Sequence, residues 1–493
     1  MLSLVNCAII TALVSVLYFL FKKRNHNGIY GLPPGPSGWP IVGSLGTLFG
    51  VQRHQKLASD GRKYGGIFTM HIGAVHSVWI TSFKIFREAV VDNTWAFAGR
   101  PQHIWLTDET TEKNPGIIAS GVDETARNVR KFTLVSLRSF GFGKTSMQDA
   151  ILRESDDLIE EIRKQNGRPF NPRSVVANAA ANVISSVAFA RTYKQGDEAL
   201  AVVNDSITNA MQHILKAQRD RIFPGLRFVP FIAKFRDSLN NSFSAGKRFL
   251  SGIVSEHVAE HEAGNPRDFV DMWLDENGKS EQSAESFPVS RLENVLLDLF
   301  AGGFETTTTT FQWIFALLLH HPEVQVKIHQ ELDSQIGQGQ SVTLETRDLV
   351  PYTEAVILET LRMYPLIPFA VPHQATEDTT LAGYRIPKGT QVMLHLYSIL
   401  HDPELWTDPE TFCPERFLHD GLIKIPDYWV PFGMGRRSCI GEQLARKELF
   451  LIFANLMKSF RLVLPKGDSL PSLDLQQGVV IYPSPFKVVL VER

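Results

Sequence analysis

The residues best able to do chemistry lie near the C-terminus, in Phe432-Gly433-Met434-Gly435-Arg436-Arg437-Ser438-Cys439-Ile440-Gly441. One cysteine stands in an irregular, glycine-punctuated stretch, and an apolar run with helical spacing follows from about Glu442 to Phe460. Gly435 and Gly441 allow a tight turn or a close approach to something flat. Just ahead of a helix start, backbone N–H groups and the helix dipole favour Cys439 as a thiolate, and Arg436 and Arg437 add positive charge. Such a thiolate is a nucleophile or a soft metal ligand. No Cys-x-x-Cys or His-Cys pair stands nearby, which argues against a zinc site of several ligands. Taken alone, a single cysteine before a helix is more often a small buried hydrophobe.

The spacing around it changes that reading. Phe432-x-x-Gly435-x-Arg437-x-Cys439-x-Gly441 resembles the haem-binding loop of the cytochrome P450 family at every fixed position. The resemblance implies that Cys439 is the axial ligand of haem iron, pushing electron density toward O–O cleavage. It also implies that Arg437 pairs with a haem propionate and that Phe432 packs beside the thiolate. His373, after Val371-Pro372, and Arg130 match further positions that the family uses for the propionates. Here the sequence departs from its family. The tryptophan of the Trp-x-x-x-Arg pattern is Ala126, in Glu124-Thr125-Ala126-Arg127-Asn128-Val129-Arg130. Either Arg127 compensates, or haem retention and electron transfer are weaker than usual. The segment Leu137-Arg138-Ser139-Phe140-Gly141-Phe142-Gly143 supports this alignment.

Other elements must position the loop. From Val289 to His320 the spacing predicts one long helix, with Leu292, Val295, Leu296 and Leu299 as an apolar stripe. The stripe continues as Gly302, Gly303, Thr306 and Thr310, so bulky groups give way to bare backbone and hydroxyls. Adjacent glycines cost about 1 kcal/mol each in a helix interior. Helix packing through small residues is the ordinary explanation. Beside Cys439, Gly302-Gly303-Phe304-Glu305-Thr306-Thr307 resembles the family's Ala/Gly-Gly-x-Asp/Glu-Thr-Thr pattern. That implies a groove for dioxygen and a Glu305/Thr306 relay supplying protons there.

Glu359 and Arg362 sit three apart on one helix face. Glu-x-x-Arg recurs at Glu124/Arg127 and Glu160/Arg163, where it reads as a solvated surface pair. Around Glu359 the helix is apolar and ends at Tyr364-Pro365, with Pro414-Glu415-Arg416-Phe417 downstream. The resemblance implies a network of Glu359, Arg362 and Arg416. Its role is to fix the cysteine loop rather than to add net stability.

The chain of 493 residues has a formal net charge of -2 with interspersed signs, which argues against a nucleic-acid binder. Three cysteines cannot build a disulfide framework. Residues 2 to 21 are uncharged and long enough to span a bilayer, and Lys22-Lys23-Arg24 follows. This predicts a retained anchor over 1–24, with the main body on the cytosolic side, rather than a cleaved leader. A proline-rich hinge over 25–45 and a haem-thiolate catalytic domain over 46–493 complete the organisation. Two strands are expected within 66–81 around Gly73-Ala74, and a strand-rich patch from Gly383 to Ile399. Helices are expected at 148–164, 174–190, 199–219 and 240–262. Residues 95–125 and the aromatic and basic stretch Arg221 to Phe231 read as substrate-region loops, the latter equally as a segment dipping into a membrane interface.

The fold expected is therefore mainly α with a small β-sheet region, in the P450 fold, behind one transmembrane helix. By resemblance to the microsomal, animal-type branch, closest to the drug- and steroid-metabolising family 2-like members, the chain is expected to be a monooxygenase. It would use haem b, with NADPH acting indirectly through NADPH–cytochrome P450 reductase and with cytochrome b5 as an optional partner. Arg436, Arg446 and Lys447 are candidates for the basic face that docks the reductase. The substrate would be small and apolar, and the location the endoplasmic reticulum membrane. Two alternatives are an O2-independent haem-thiolate isomerase or dehydratase, which often lacks the acid–Thr pair present here, and a non-catalytic haem-binding protein. The sequence names no substrate.

Overall fold

The computed structural model describes residues 31–493 apart from 40–41, 49, 51–52, 74, 102–112, 140–144, 218–229 and 477. The anchor, the start of the hinge, Ala74, the middle of 95–125, Phe140 to Gly143 and almost all of Arg221 to Phe231 lie outside the described residues. Among the described residues no helix is long and apolar enough to cross a membrane.

Helices dominate, as expected. In chain order they are α1 (Arg53–Lys63), α2 (Phe83–Arg87), α3 (Glu124–Ser139), α4 (Thr145–Arg163), α5 (Pro172–Phe189), α6 (Glu198–Ala217), α7 (Pro230–Glu260), α8 (Phe269–Asn277), α9 (Glu281–Ser286) and α10 (Val289–Phe300). Then follow α11 (Thr306–His320), α12 (Pro322–Gln335), α13 (Pro351–Met363), α14 (Leu396–Leu400) and α15 (Glu442–Ser459). The local reasons are legible. Asn171 caps α5 by accepting from the Arg173 N–H, and Pro172 takes the first helical position. Proline also opens α12 and α13, where its missing N–H costs nothing. The start of α13 is capped from another helix: Glu331 of α12 accepts from the N–H groups of Tyr352 and Thr353 at 2.7 and 2.8 Å.

The small sheet holds β1 (Ile67–Ile72), β2 (Val75–Ile80), β3 (His373–Gln374) and β6 (Gln391–Leu394), in the order β1-β2-β6-β3. The β2–β6 pair is parallel and the others antiparallel. Two-stranded ribbons β4 (Thr379–Leu381) with β5 (Tyr384–Ile386), and β7 (Leu418–His419) with β8 (Leu422–Ile423), lie outside it. Another ribbon pairs β9 (Phe460–Val463) with β10 (Val489–Glu492). The patch expected to be strand-rich up to Ile399 turns helical at Leu396. A short buried apolar run does not distinguish strand from helix by periodicity, and here His395 hydrogen-bonds the Ser398 hydroxyl at 2.5 Å and turns the chain.

The long helix expected from Val289 to His320 is continuous but not uniform. Ala301–Glu305 forms a π-turn between α10 and α11, a local widening that recurs at functional sites. From Thr307 to Leu318, α11 is buried on every face, so it runs through the centre of the molecule. Trp313 stacks on Tyr364, just past the end of α13, at 3.8 Å and donates to the Ile481 carbonyl.

Candidate haem-thiolate site

Gly435 sits at φ +74°, and a Cβ there would fall 2.0 Å from the Val90 carbonyl oxygen. Only glycine fits that close approach. Gly441 is not held by a strained turn: its φ is -86°, and a Cβ would meet only the Cys439 sulfur, at 3.9 Å, which leaves the expected close approach to something flat. The fold therefore leaves space beside the sulfur that the backbone does not require. Between them the Cys439 N–H donates to the Phe432 carbonyl at 2.9 Å, closing the loop, and the Phe432 ring stands 5.9 Å from Trp429.

Cys439 keeps exposed surface although protein crowds around its sulfur. That crowding pushes the thiol pKa up, against the pull of the Gly441 amide and Arg130. The sequence led to the expectation of a thiolate favoured by the helix start with Arg436 and Arg437 beside it; in the fold, burial acts against that charge. Desolvation outweighs the dipole, and a cation bound at sulfur is what would hold the thiolate.

Glu359 and Arg362 are both fully buried and paired at 2.7 Å, and Arg416 reaches Glu359 at 2.9 Å. The Cys413 N–H also donates to Glu359, and Arg362 donates to the Leu400 carbonyl. Trp429, three residues before Phe432, donates to the Leu358 carbonyl at 3.1 Å, so α13 holds the approach to the cysteine loop. Of the other Glu-x-x-Arg pairs, Glu160/Arg163 is an exposed surface pair as expected. Arg127 instead stacks on Trp95, at 5.2 Å from the ring centroid. Arg436 covers the same indole at 3.8 Å. Arg446 faces Glu354 at 3.5 Å and Glu442 at 3.9 Å.

Four cationic or potentially cationic groups gather near the loop. Arg437 donates to the carbonyls of Ala98, Ser120 and Gly121. Arg130 donates to the Ser438 carbonyl. His373 binds the Phe97 carbonyl at 2.7 Å through Nδ1, which must carry the proton. Arg100, which the sequence gave no reason to single out, donates to the carbonyls of Ile118, Val371 and Pro372. No carboxylate pairs with any of the four among the described residues. Burial, then Arg437 and Arg130, hold the Arg100 guanidinium well below its usual range. Burial and then Arg130 bring Arg437 to about 10. Burial and then Arg100 keep the His373 imidazole neutral. Asp123 acts on Arg437 from a distance without pairing with it, and buried cations that repel one another without a paired carboxylate call for an anion.

On the oxygen-side helix the two glycines divide the work. A Cβ on Gly302 would meet nothing within 4 Å, whereas one on Gly303 would press on Ile184 of α5 at 3.2 Å. Gly302 is thus open and Gly303 is a packing residue. Thr306 donates its hydroxyl to the Gly302 carbonyl. Glu305 is not joined to Thr306. Its buried carboxylate accepts from Arg173 Nη2 at 2.7 Å and from the Thr208 hydroxyl at 3.0 Å. Upstream, the Asp298 carboxyl accepts from the Ile118 N–H at 2.9 Å, and burial pushes its pKa up to about 6.

Residues 33–490 match the cytochrome P450 family model. This chain belongs to the cytochrome P450 family. It is 35% identical to cytochrome P450 2J2 of Homo sapiens over 98% of the chain and 96% of that protein. It is 34% identical to cytochrome P450 2U1 of Mus musculus over 99% and 95%. The P450 is therefore a haem-thiolate monooxygenase whose cofactor is haem b. The residues present fit that group: a cluster of cations with no carboxylate paired to it among the described residues suits two propionates, and an accessible sulfur beside unfilled space suits a flat metal-bearing ring.

Proposed function

We propose that this P450 is a membrane-anchored enzyme that inserts one oxygen atom from O2 into a small apolar substrate by hydroxylation or epoxidation. Electrons come from NADPH through NADPH–cytochrome P450 reductase. The observation that carries the reading is an accessible Cys439 sulfur in a chain that also leaves Gly302 open ahead of a helix buried from Thr307 to Leu318. When bound, haem supplies the redox iron at which dioxygen is reduced and split.

The chain's own residues do the rest. Cys439 would supply the sulfur that ligates the haem iron. Arg100, Arg130, Arg437 and His373 would hold the propionates. For His373 to donate from Nε2 as well as Nδ1, the imidazole must take up a proton, which a propionate would favour. The Thr306 proton rests on the Gly302 carbonyl and is within one side-chain rotation of the open side. Glu305 recharges it only by loosening from Arg173 or through water, because its carboxylate is held elsewhere.

Two polar groups of α10 are engaged by the chain itself: Asp298 accepts from the Ile118 N–H, and Asn294 donates to the Asn114 carbonyl. That supports an apolar substrate. Trp39, in the expected hinge, is 78% exposed, and its amphipathic ring suits a membrane interface. The expected location is the endoplasmic reticulum membrane, with the catalytic domain facing the cytosol.

The test reconstitutes the protein with reductase and NADPH under isotopically labelled dioxygen and offers fatty acids, sterols and terpenoids. One labelled oxygen atom in a product is the expected result. Product formed without NADPH or label would favour the isomerase reading instead. In the same assay, Cys439→Ala loses the thiolate-haem spectrum. Thr306→Ala keeps that spectrum but diverts NADPH away from product.

A further inference from the structure

Among the groups that this chemistry does not use, the least expected is an acid behind the oxygen-side helix. Glu448 lies on α15, the helix that follows the cysteine loop, and is 2% exposed. The Thr307 hydroxyl of α11 donates to Glu448 Oε2 at 3.4 Å, and Oε1 has no partner among the described residues. No arginine, lysine or histidine there pairs with this carboxyl. The other charge that acts on it is a second acid, Glu154 of α4, which accepts from Asn182 of α5 at 2.8 Å. An ionised carboxylate this deep, without a cation and acted on by another acid, is strongly disfavoured.

We propose that Glu448, held as the neutral acid, is a positioning residue: its contact with Thr307 fixes the turn that carries Thr306 against the helix that follows Cys439. The proposal rests on the role given to Thr306 above. The connection runs Cys439, α15, Glu448, Thr307, Thr306, and so links the sulfur side of the site to the oxygen side through protein alone. The neighbouring acid is consistent with a protonated pair. Burial pushes Glu154 up to about 7, with the Asn182 hydrogen bond opposing, and Asp157 and Arg153 are the remaining charges that act on it. Burial drives Glu448 further in the same direction. Two carboxyl groups that interact in a dry interior do not both ionise.

Two measurements test this. The first is the infrared difference between the ferric wild type and Glu448→Gln. It should contain a protonated-carboxyl stretch that shifts in heavy water. Absence of that band overturns the proposal without touching the Thr306 reading. The second is the ratio of hydrogen peroxide to product under turnover. It should rise severalfold in Glu448→Leu and return to the wild-type ratio in Glu448→Gln, whose amide can replace the neutral acid. If the leucine variant does not fold, Thr307→Val should give the same rise. Wild-type coupling in these variants while Thr306→Ala uncouples would overturn the role of Glu448 alone. Wild-type coupling in Thr306→Ala would remove the Thr306 reading and the positioning role with it, leaving the infrared result to stand for the protonated acid.

Discussion

Arg173 Nη2 stands 2.7 Å from Glu305 Oε2, binding the acid of the oxygen-side turn to the start of α5 rather than to Thr306. Burial pushes the nearby Tyr482 phenol up, and the Glu305 carboxylate adds to that shift. The Glu305 side chain is 1% exposed and that of Arg173 is 21% exposed. Removing the arginine therefore strands a buried charge. Arg173→Leu should lower unfolding stability by about 3–5 kcal/mol, as read by urea denaturation. Adding Glu305→Gln should return much of the loss. An Arg173→Leu protein as stable as the wild type would mean that the carboxylate finds another partner.

The two glycines of the π-turn should respond oppositely to the same substitution. Gly302→Ala meets no protein atom, so its stability should hold or rise by up to about 1 kcal/mol from helix propensity. The added methyl fills the open side, however, and should weaken carbon monoxide binding to the reduced protein. Gly303→Ala presses on Ile184, and overpacking of this kind costs about 1–3 kcal/mol. Its carbon monoxide affinity should stay near the wild type, and Ile184→Ala should make the extra methyl tolerable. Equal effects at the two positions would mean that they share one environment.

Buried neutral histidines set an acid limit on stability. Arg53 donates to His54 Nε2 at 3.1 Å, so His54 Nδ1 carries its proton toward His395 Nε2, 3.2 Å away. Burial holds His395 and His401 down at about 3, and His54 lower still. These are bases whose folded pKa lies below the unfolded value of about 6.5. The unfolded chain therefore binds more protons, and stability present above that pH is lost as the pH falls toward 3. Asp298 works the other way: its raised folded pKa makes protonation favour the folded state as the pH drops through about 6. His401→Gln should flatten the acid limb by up to about 1.4 kcal/mol per pH unit, one proton's share. Denaturation at a series of pH values checks this, and an unchanged slope would mean that His401 is already charged when folded.

The cysteine loop, the glycine–acid–threonine turn and the apolar Glu-x-x-Arg helix were all legible in the chain, because each is a local pattern with fixed spacing. Helical periodicity located the long helices to within a few residues, apart from the start of α7, which lies at Pro230 rather than near residue 240. Ambiguity remained where a buried apolar run was short, as at Leu396–Leu400.

Tertiary structure decided which charges meet. Arg100 lies in an undistinguished Gly99-Arg100-Pro101, and only the fold brings it to the cations around Arg437. Three Glu-x-x-Arg pairs look alike along the chain, yet Glu359/Arg362 alone of them is sealed from water. The Glu305 carboxylate was expected to serve Thr306 because the two are neighbours in sequence, but successive residues on a helix point in different directions, and α5 and α6 supply its partners. Glu448 gave no signal at all, since an acid in an amphipathic helix is normally solvated; its burial comes from the helices packed around it. Local chemistry is written in spacing, whereas desolvation and long-range pairing exist only once distant segments pack.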